Sequence, residues 1–488
     1  MIKQWTRVLS APLIYLMLEA GCVFTVFTIV IGTHPVVGEA DSQSYLNFPM
    51  DNPADMLVQI RTVGYPIFLK LIKIFSPDLN MLPQLQISFF FVAIFVFYVA
   101  LRIYGLTKWT AFVAVSPLFY QRFILAFSPG LMADVPAAAL AILSVSFLFV
   151  VTARGHLVFA WIGLALSVFF AYQFRPAYVF LVPLVPVLGL VLITLRGPSA
   201  GPSRLFNTFG AAAVASTVLP FLIFCTLRFV VVGQFGLVSF GGLNVIPTTI
   251  QFLTKDVVKH LDQDLQPLAQ ALIEARDRLD VKRGLRKEGE DGTVIIPMAL
   301  WEGISYHYRD DVFRPIVLQF LGINERPEEM LDGRIFQKDE AVKINRIAIR
   351  LAFETFFVRP GIHVFNYLRA FLYGIGFAIY AEGTIVAFLL LLFMAYAIAT
   401  LRSRVAYRAG QLSSTFTGGD ETVAPCALII VGGLFCLANL LVVTAVLPVT
   451  RLILPGVLFV PCAISTTLFK TVVRVACPPK TGPSSELV

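Results

Sequence analysis

Charge is what this chain has least of. Only 14% of its 488 residues are Asp, Glu, Lys or Arg, against roughly 25% in soluble domains. That scarcity excludes an ordinary water-soluble enzyme. A nucleic-acid binder is excluded too, because the formal net charge of +8 is scattered through short loops rather than gathered in a basic patch. Cysteine is also thin. Cys22, Cys225, Cys426, Cys436 and Cys462 lie inside apolar runs and Cys477 in the tail. None has zinc-like spacing, so neither a disulfide framework nor a structural zinc is expected. No Gly-rich phosphate loop opens a soluble helix, so no nucleotide-sugar site is expected. His34, His307 and His363 show no metal spacing and read as structural.

What the chain has instead is apolar runs. Hydrophobic residues make up 57% of it, in stretches near the roughly 20 residues that cross a bilayer. The fold class expected is all-α: a polytopic helical membrane protein of about ten spans, with interfacial helices and an extracytoplasmic helical subdomain. The spans read as 12–33, 83–104, 109–127, 132–152, 156–173, 177–195, 208–232, 383–401, 425–446 and 452–470. The first lacks a small-residue cleavage site and counts as a span, not a removed signal. Lys3, Arg7, Arg102, Lys108, Arg154, Arg196, Arg204, Arg402, Arg404, Arg408, Lys470 and Arg474 all fall on one side if both termini are cytoplasmic, which is the positive-inside pattern.

Three parts follow: a transmembrane module over 1–232, an extracytoplasmic part over 233–382, and C-terminal spans with a tail over 383–488. "DVVKHLDQDLQPLAQALIEARDRLD" and "DEAVKINRIAIRLAFETFF" read as helices of the outer part, with "VKRGLRKEGEDGT" an exposed loop between them. Residues 57–75, "LVQIRTVGYPIFLKLIKIF", and the run at 362–380 carry basic residues among apolar ones. The first reads as a helix lying along the membrane surface, and the second as a surface or half-buried helix, with a span as the alternative.

Several charged residues gather on the outer side: Glu39 and Asp41 in "GEADSQSYL", Arg61 ahead of Tyr65 and Pro66, Arg122, Asp134 in "SPGLMADVP", Arg175 in "QFRPAYVF" and Arg451 in "LPVTRLILP". Charges at a bilayer are costly and are usually paired or functional. Guanidinium forks suit phosphate oxygens, and a carboxylate suits general-base work on a hydroxyl. Each has a plainer reading. Asp41 and Asp134 also suit helix caps, and Arg175 and Arg451 suit snorkelling to head groups. Trp301, Tyr306 and Tyr308 suit either a sugar platform or a subdomain core. Glu39, Asp41 and Asp134 together also offer oxygen ligands for a divalent cation.

The ordered set "EADSQSYL", "RTVGYPIFLKL", Asp134, "FRP" and "TRLILP" resembles the polytopic GT-C glycosyltransferases, such as the protein O-mannosyltransferases and the bacterial aminoarabinose transferases. "AFETFFVRPGIHVFNYL" is similar to that family's amphipathic stretch before the late spans. Two positions depart from the pattern: Leu452 stands where an aromatic is usual, and the acidic motif is Glu-X-Asp, not Asp-X-Asp. The resemblance implies an inverting transfer of a hexose or pentose from a polyprenyl-phosphate carrier to a lipid, glycan or protein acceptor. Asp41 would be general base, with Glu39 beside it. Arg61, Tyr65, Arg122, Asp134, Arg175 and Arg451 would bind substrate, the arginines holding the departing phosphate. It also implies an inner-membrane location with the site on the periplasmic face. Three other classes remain open, one of them a non-enzymatic assembly or scaffold protein, which would leave the one-sided charge cluster unexplained. A lipid-linked saccharide flippase needs charged or broken helices near the midplane, in which these spans read as poor. An O-antigen-type polymerase or ligase relies on outer-loop Arg and His.

Overall fold

The computed structural model describes residues 11–32, 41–196, 202–285, 295–323, 338–381, 423–446 and 450–476. Every element among them is helical, and none is a strand. Seven helices are long and apolar enough to cross a membrane: Ala11–Ile31, Leu82–Tyr104, Asp134–Ala153, Pro176–Leu195, Thr208–Val232, Cys426–Thr444 and Leu454–Val473. Val158–Phe174 is an eighth apolar helix, but shorter.

Asp134–Ala153 is the hub. It packs on Leu82–Tyr104, Val158–Phe174 and Leu181–Arg196, and almost all its side chains are buried. Its run of Ala137, Ala138, Ala139 and Ala141 is fully enclosed. Small residues let helix backbones approach closely, which is how helices gain packing energy where hydrocarbon surrounds them on every side. Ala11–Ile31 and Thr208–Val232 sit at the periphery, with few of their side chains buried.

Beyond the Thr208–Val232 span the chain builds a second apolar core around Ile246, Ile250, Leu272, Trp301, Phe313 and Leu351. Gly241–Phe252 packs on Lys338–Val358. Gly242 permits this: a Cβ there would lie 2.7 Å from the Asn345 carbonyl oxygen, and its own N–H donates to Asn345 Oδ1 at 2.7 Å. Arg276 is buried and donates to the carbonyls of Ile250 and Leu253 at 2.9 and 2.6 Å, closing the C-terminal end of that helix. Arg228 joins the subdomain to the spans. It is fully buried and donates to the Leu57 carbonyl at 2.8 Å, to the Gln234 and Gly236 carbonyls at 3.2 Å each, and to Ser239.

Several expectations need correction. The span read at 109–127 is not one helix. It is Lys108–Val115, a 3-10 turn Ser116–Tyr120 and a short helix Arg122–Phe127. Pro117 lacks the N–H that would continue the ladder, and Gln121 is extended. The last span is interrupted in the same way, with a 3-10 turn Leu454–Val457 before Val460–Ala476. The spans are poor in charge, as expected, but Glu19 and Arg228 lie within two of them. Residues 57–75 are two helices, Pro53–Val58 and Gly64–Phe75. The run at 362–380 is one helix, Pro360–Ala381, packed on Val423–Val446, and it is not among the seven candidate spans. The "DVVKHL…" run breaks into Lys255–Val258 and Gln266–Lys282. The span at 383–401 and most of the "VKRGLRKEGEDGT" loop lie outside the described residues.

Candidate functional site

Asp41 occupies the N-cap position of the short helix Ser42–Leu46, yet its side chain makes no capping bond. The carboxylate pairs instead with Arg61. The guanidinium is oriented by two further contacts: its Nε donates to Ser44 Oγ at 3.0 Å, and it lies over the Tyr45 ring, 5.2 Å from the centroid, within cation–π range. Asp41 and Arg61 remain partly accessible, at 19% and 26% of their side-chain surface.

Asp134 is the first residue of its helix, directly after the N-cap Ala133. It pairs with Arg175, and here both partners are enclosed, at 3% and 8%. Asp134 also sits in the first turn of its helix, where the dipole favours negative charge. The snorkelling reading of Arg175 therefore fails. Its guanidinium faces a carboxylate inside the bundle, because a charge left alone there would be far costlier than a paired one.

Three struts tie the two pairs together. Tyr65 packs edge-on against Tyr45 at 4.7 Å and donates to Gln86 Oε1 at 3.1 Å. The Gln86 amide donates to the Ser128 and Gly130 carbonyls at 2.9 and 3.0 Å, fixing the loop ahead of Asp134. Ser42 Oγ donates to the Leu131 carbonyl of the same loop at 3.3 Å. Finally, Gly64–Phe75 lies on the end of the Val158–Phe174 helix. Gly64 touches it so closely that a Cβ would stand 2.6 Å from the Gln173 carbonyl carbon, two residues before Arg175.

Gly64–Phe75 buries Tyr65, Leu69 and Ile72. It exposes Ile67, Leu71, Ile74 and Phe75 together with Lys70 and Lys73, the composition of a helix lying in a lipid interface. Around the pairs stand three buried polar groups that take no hydrogen bond: Thr62 Oγ1, both ends of the Gln173 amide, and the Tyr178 hydroxyl. Tyr178 is within electrostatic reach of Arg175. Buried polar atoms are ordinarily satisfied, and exceptions call for an explanation such as a bound partner.

Of the expected site residues, the structure thus brings together Asp41, Arg61, Tyr65, Asp134 and Arg175. Tyr65 is fully buried and positions its neighbours. Arg122 is exposed on the short helix that leads into the 128–133 loop. The Arg451 side chain and Glu39 lie outside the described residues; the helix Thr450–Ile453 that carries Arg451 packs on Pro360–Ala381 and Val423–Val446. Among the described residues no group of three or more His, Cys, Asp or Glu converges as metal ligands, and Asp41 and Asp134 each answer an arginine. Trp301 and Tyr308 are core, while Tyr306 lies beneath the Arg309 guanidinium at 4.9 Å. His307 bonds Asp311 at 2.6 Å. The residues that sequence reasoning missed are Gln86, Gly64 and Gln173. The available signal was a glutamine at the end of an otherwise apolar helix, twice.

Comparison with protein-family models, with curated proteins and with solved structures finds no match to this chain.

Proposed function

We propose that the chain is a membrane-embedded glycosyltransferase that moves a sugar from a polyprenyl-phosphate carrier to a hydroxyl acceptor, with Asp41 as general base. The observation that carries this is the convergence just described. Two carboxylate–guanidinium pairs from four separate stretches meet beside three buried polar groups without partners. Such orphan groups are what sugar hydroxyls satisfy.

In the reaction, the acceptor oxygen attacks the anomeric carbon and its proton passes to the Asp41 carboxylate. The bond from that carbon to the phosphate oxygen breaks, and polyprenyl phosphate leaves. Direct displacement inverts the anomeric centre. Asp41 suits the role because it is the accessible carboxylate of the two. Arg61 and Arg122, both reachable from outside, are the guanidiniums a lipid phosphate meets. Arg175 is enclosed and holds Asp134. The exposed apolar face of Gly64–Phe75 would place the site at bilayer depth, so that the donor enters from the lipid.

The test is Asp41→Asn in membrane vesicles supplied with a polyprenyl-phosphate sugar. Lost transfer with retained donor binding supports the assignment; full transfer at normal protein levels sinks it. A second reading, a transporter of lipid-linked saccharide, is favoured by one observation: the helix interruptions at Ser116–Tyr120 and Leu454–Val457. Movement of labelled donor across the vesicle membrane without transfer would select it.

A further inference from the structure

The first span carries an acidic residue that the site above does not use. Ala11–Ile31 is a continuous helix, and Glu19 stands eight residues from its start and twelve from its end. At 1.5 Å per residue that is about 12 Å from one end and about 18 Å from the other, near the middle of the hydrocarbon layer. An ionisable side chain at such depth is expensive and marks a functional position.

Glu19 faces the interrupted third crossing. Ser116, the first residue of the 3-10 turn, donates its hydroxyl to Glu19 Oε1 at 2.6 Å. The other oxygen, Oε2, is buried and accepts no hydrogen bond. Among the described residues no cation pairs with Glu19. Tyr120, from the same turn, is the titratable group that hydrogen-bonds Glu19, and Cys22, on the Glu19 helix, lies within electrostatic reach of Tyr120. The Leu82–Tyr104 helix also packs on the first span. Of its titratable side chains, Tyr104 donates to the Leu192 carbonyl and Arg102 to the Leu106 carbonyl, and Tyr98 is buried. Lys108 opens the third crossing one residue before Trp109, whose ring meets Tyr15.

Polar groups continue from there into the bundle. Gln121 follows Tyr120, is buried, and donates its amide to the Leu458 carbonyl at 2.7 Å, while its Oε1 takes no partner. Leu458 directly follows the 3-10 turn of the last span. The two interrupted helices therefore meet at this bond, and Glu19, Ser116, Tyr120 and Gln121 line one polar seam across otherwise apolar packing. A helix break frees backbone polar groups only where something else answers them.

We propose that Glu19 is a proton-binding site inside the membrane, carrying its proton as a neutral carboxylic acid beside the broken third crossing. The reason is solvation. Two neutral hydroxyls, Ser116 and Tyr120, are all that faces the carboxyl, and neutral donors without a cation do not offset the cost of a bare carboxylate in hydrocarbon. The neutral acid avoids the charge: Ser116 donates to one oxygen and the proton sits on the other. The proposal stands apart from the transferase reading, because none of these residues belongs to that site.

Labelling of the full chain in liposomes tests it. Dicyclohexylcarbodiimide partitions into bilayers and adds to protonated carboxyls: the carboxyl oxygen bonds the carbodiimide carbon and the acid proton moves to nitrogen. The expected result is an adduct on the Glu19 peptide by mass spectrometry, falling as pH rises and absent with a water-soluble carbodiimide. No adduct at any pH, or equal labelling by both reagents, overturns the proposal. Glu19→Gln is a permanently neutral isostere. It is expected to keep the wild-type thermal midpoint at neutral pH and to lose the adduct; a large fall in midpoint at neutral pH would show that the charged form is the one the fold requires.

Discussion

Asp41–Arg61 and Asp134–Arg175 are the same chemical pair in two different solvents. Both join an acid near a helix start to an arginine from a distant stretch. Asp41 keeps 19% of its side-chain surface exposed, and Asp134 only 3%. Burial separates their roles. An exposed pair contributes little to stability, about 0–1 kcal/mol, but its carboxylate can be reached by a reacting hydroxyl. A buried pair is costly to break, about 3–5 kcal/mol when one partner is removed, and nothing from solvent reaches it. Under the proposed function the first pair would do the chemistry and the second would hold the site's floor.

The widest gap between the pairs is expected on activity. Asp41→Asn should lower transfer about 10²- to 10⁴-fold, the range for a lost general base, while the thermal midpoint hardly moves. If Asp41→Asn unfolds the protein and leaves residual activity normal, the contrast is wrong. Arg175→Met should show the reverse order of effects, destabilising by about 3–5 kcal/mol because Asp134 is left as a lone buried charge. Adding Asp134→Leu to it should restore most of that loss; a double variant no better than the single would show that the pair is not what Arg175 supports. Gly64→Ala probes the strut between the pairs. With Gln173 backbone 2.6 Å from the new Cβ, overpacking should cost about 1–3 kcal/mol and raise the KM for donor. Measured stability equal to wild type would mean the interfacial helix shifts freely.

The smallest effect concerns a group away from both pairs. His363 is wedged between the Phe252 and Phe356 rings, 5.1 and 5.7 Å away, and burial pushes its pKa down from 6.5 to about 4. Because the folded value lies below the unfolded one, protonation favours unfolding. Stability is complete above the unfolded value of about 6.5 and is lost as pH falls from there towards about 4. His363→Phe should flatten that part of the midpoint-versus-pH curve, and an unchanged slope would assign the acid sensitivity elsewhere.

The all-helical class and most of the crossings were legible, because an apolar run long enough for a bilayer has few other uses. The break at Ser116–Tyr120 was less so. Hydropathy averages over Pro117 and Gln121, and only the path of the chain shows that the ladder stops there. For the site, Asp41 and Asp134 stood out as acids at span ends, and the arginines as cations against the charge bias. Their partners did not. Asp41 could cap, stay solvated or pair, and nothing along the chain selects Arg61 twenty residues on rather than Arg175. Gln86 and Gln173 were hidden because a single amide barely lowers the hydropathy of a span.

The sequence by itself determined an all-helical chain with runs long and apolar enough to cross a bilayer, since water cannot hold so much apolar surface and lipid cannot hold unpaired backbone. It also determined which acids and arginines were candidates. Only the tertiary structure decided which acid answers which arginine, and how wet each pair is. Those are properties of packing. The alanine-lined Asp134–Ala153 helix lets its neighbours close over Asp134, whereas Asp41 sits on a five-residue helix at the rim.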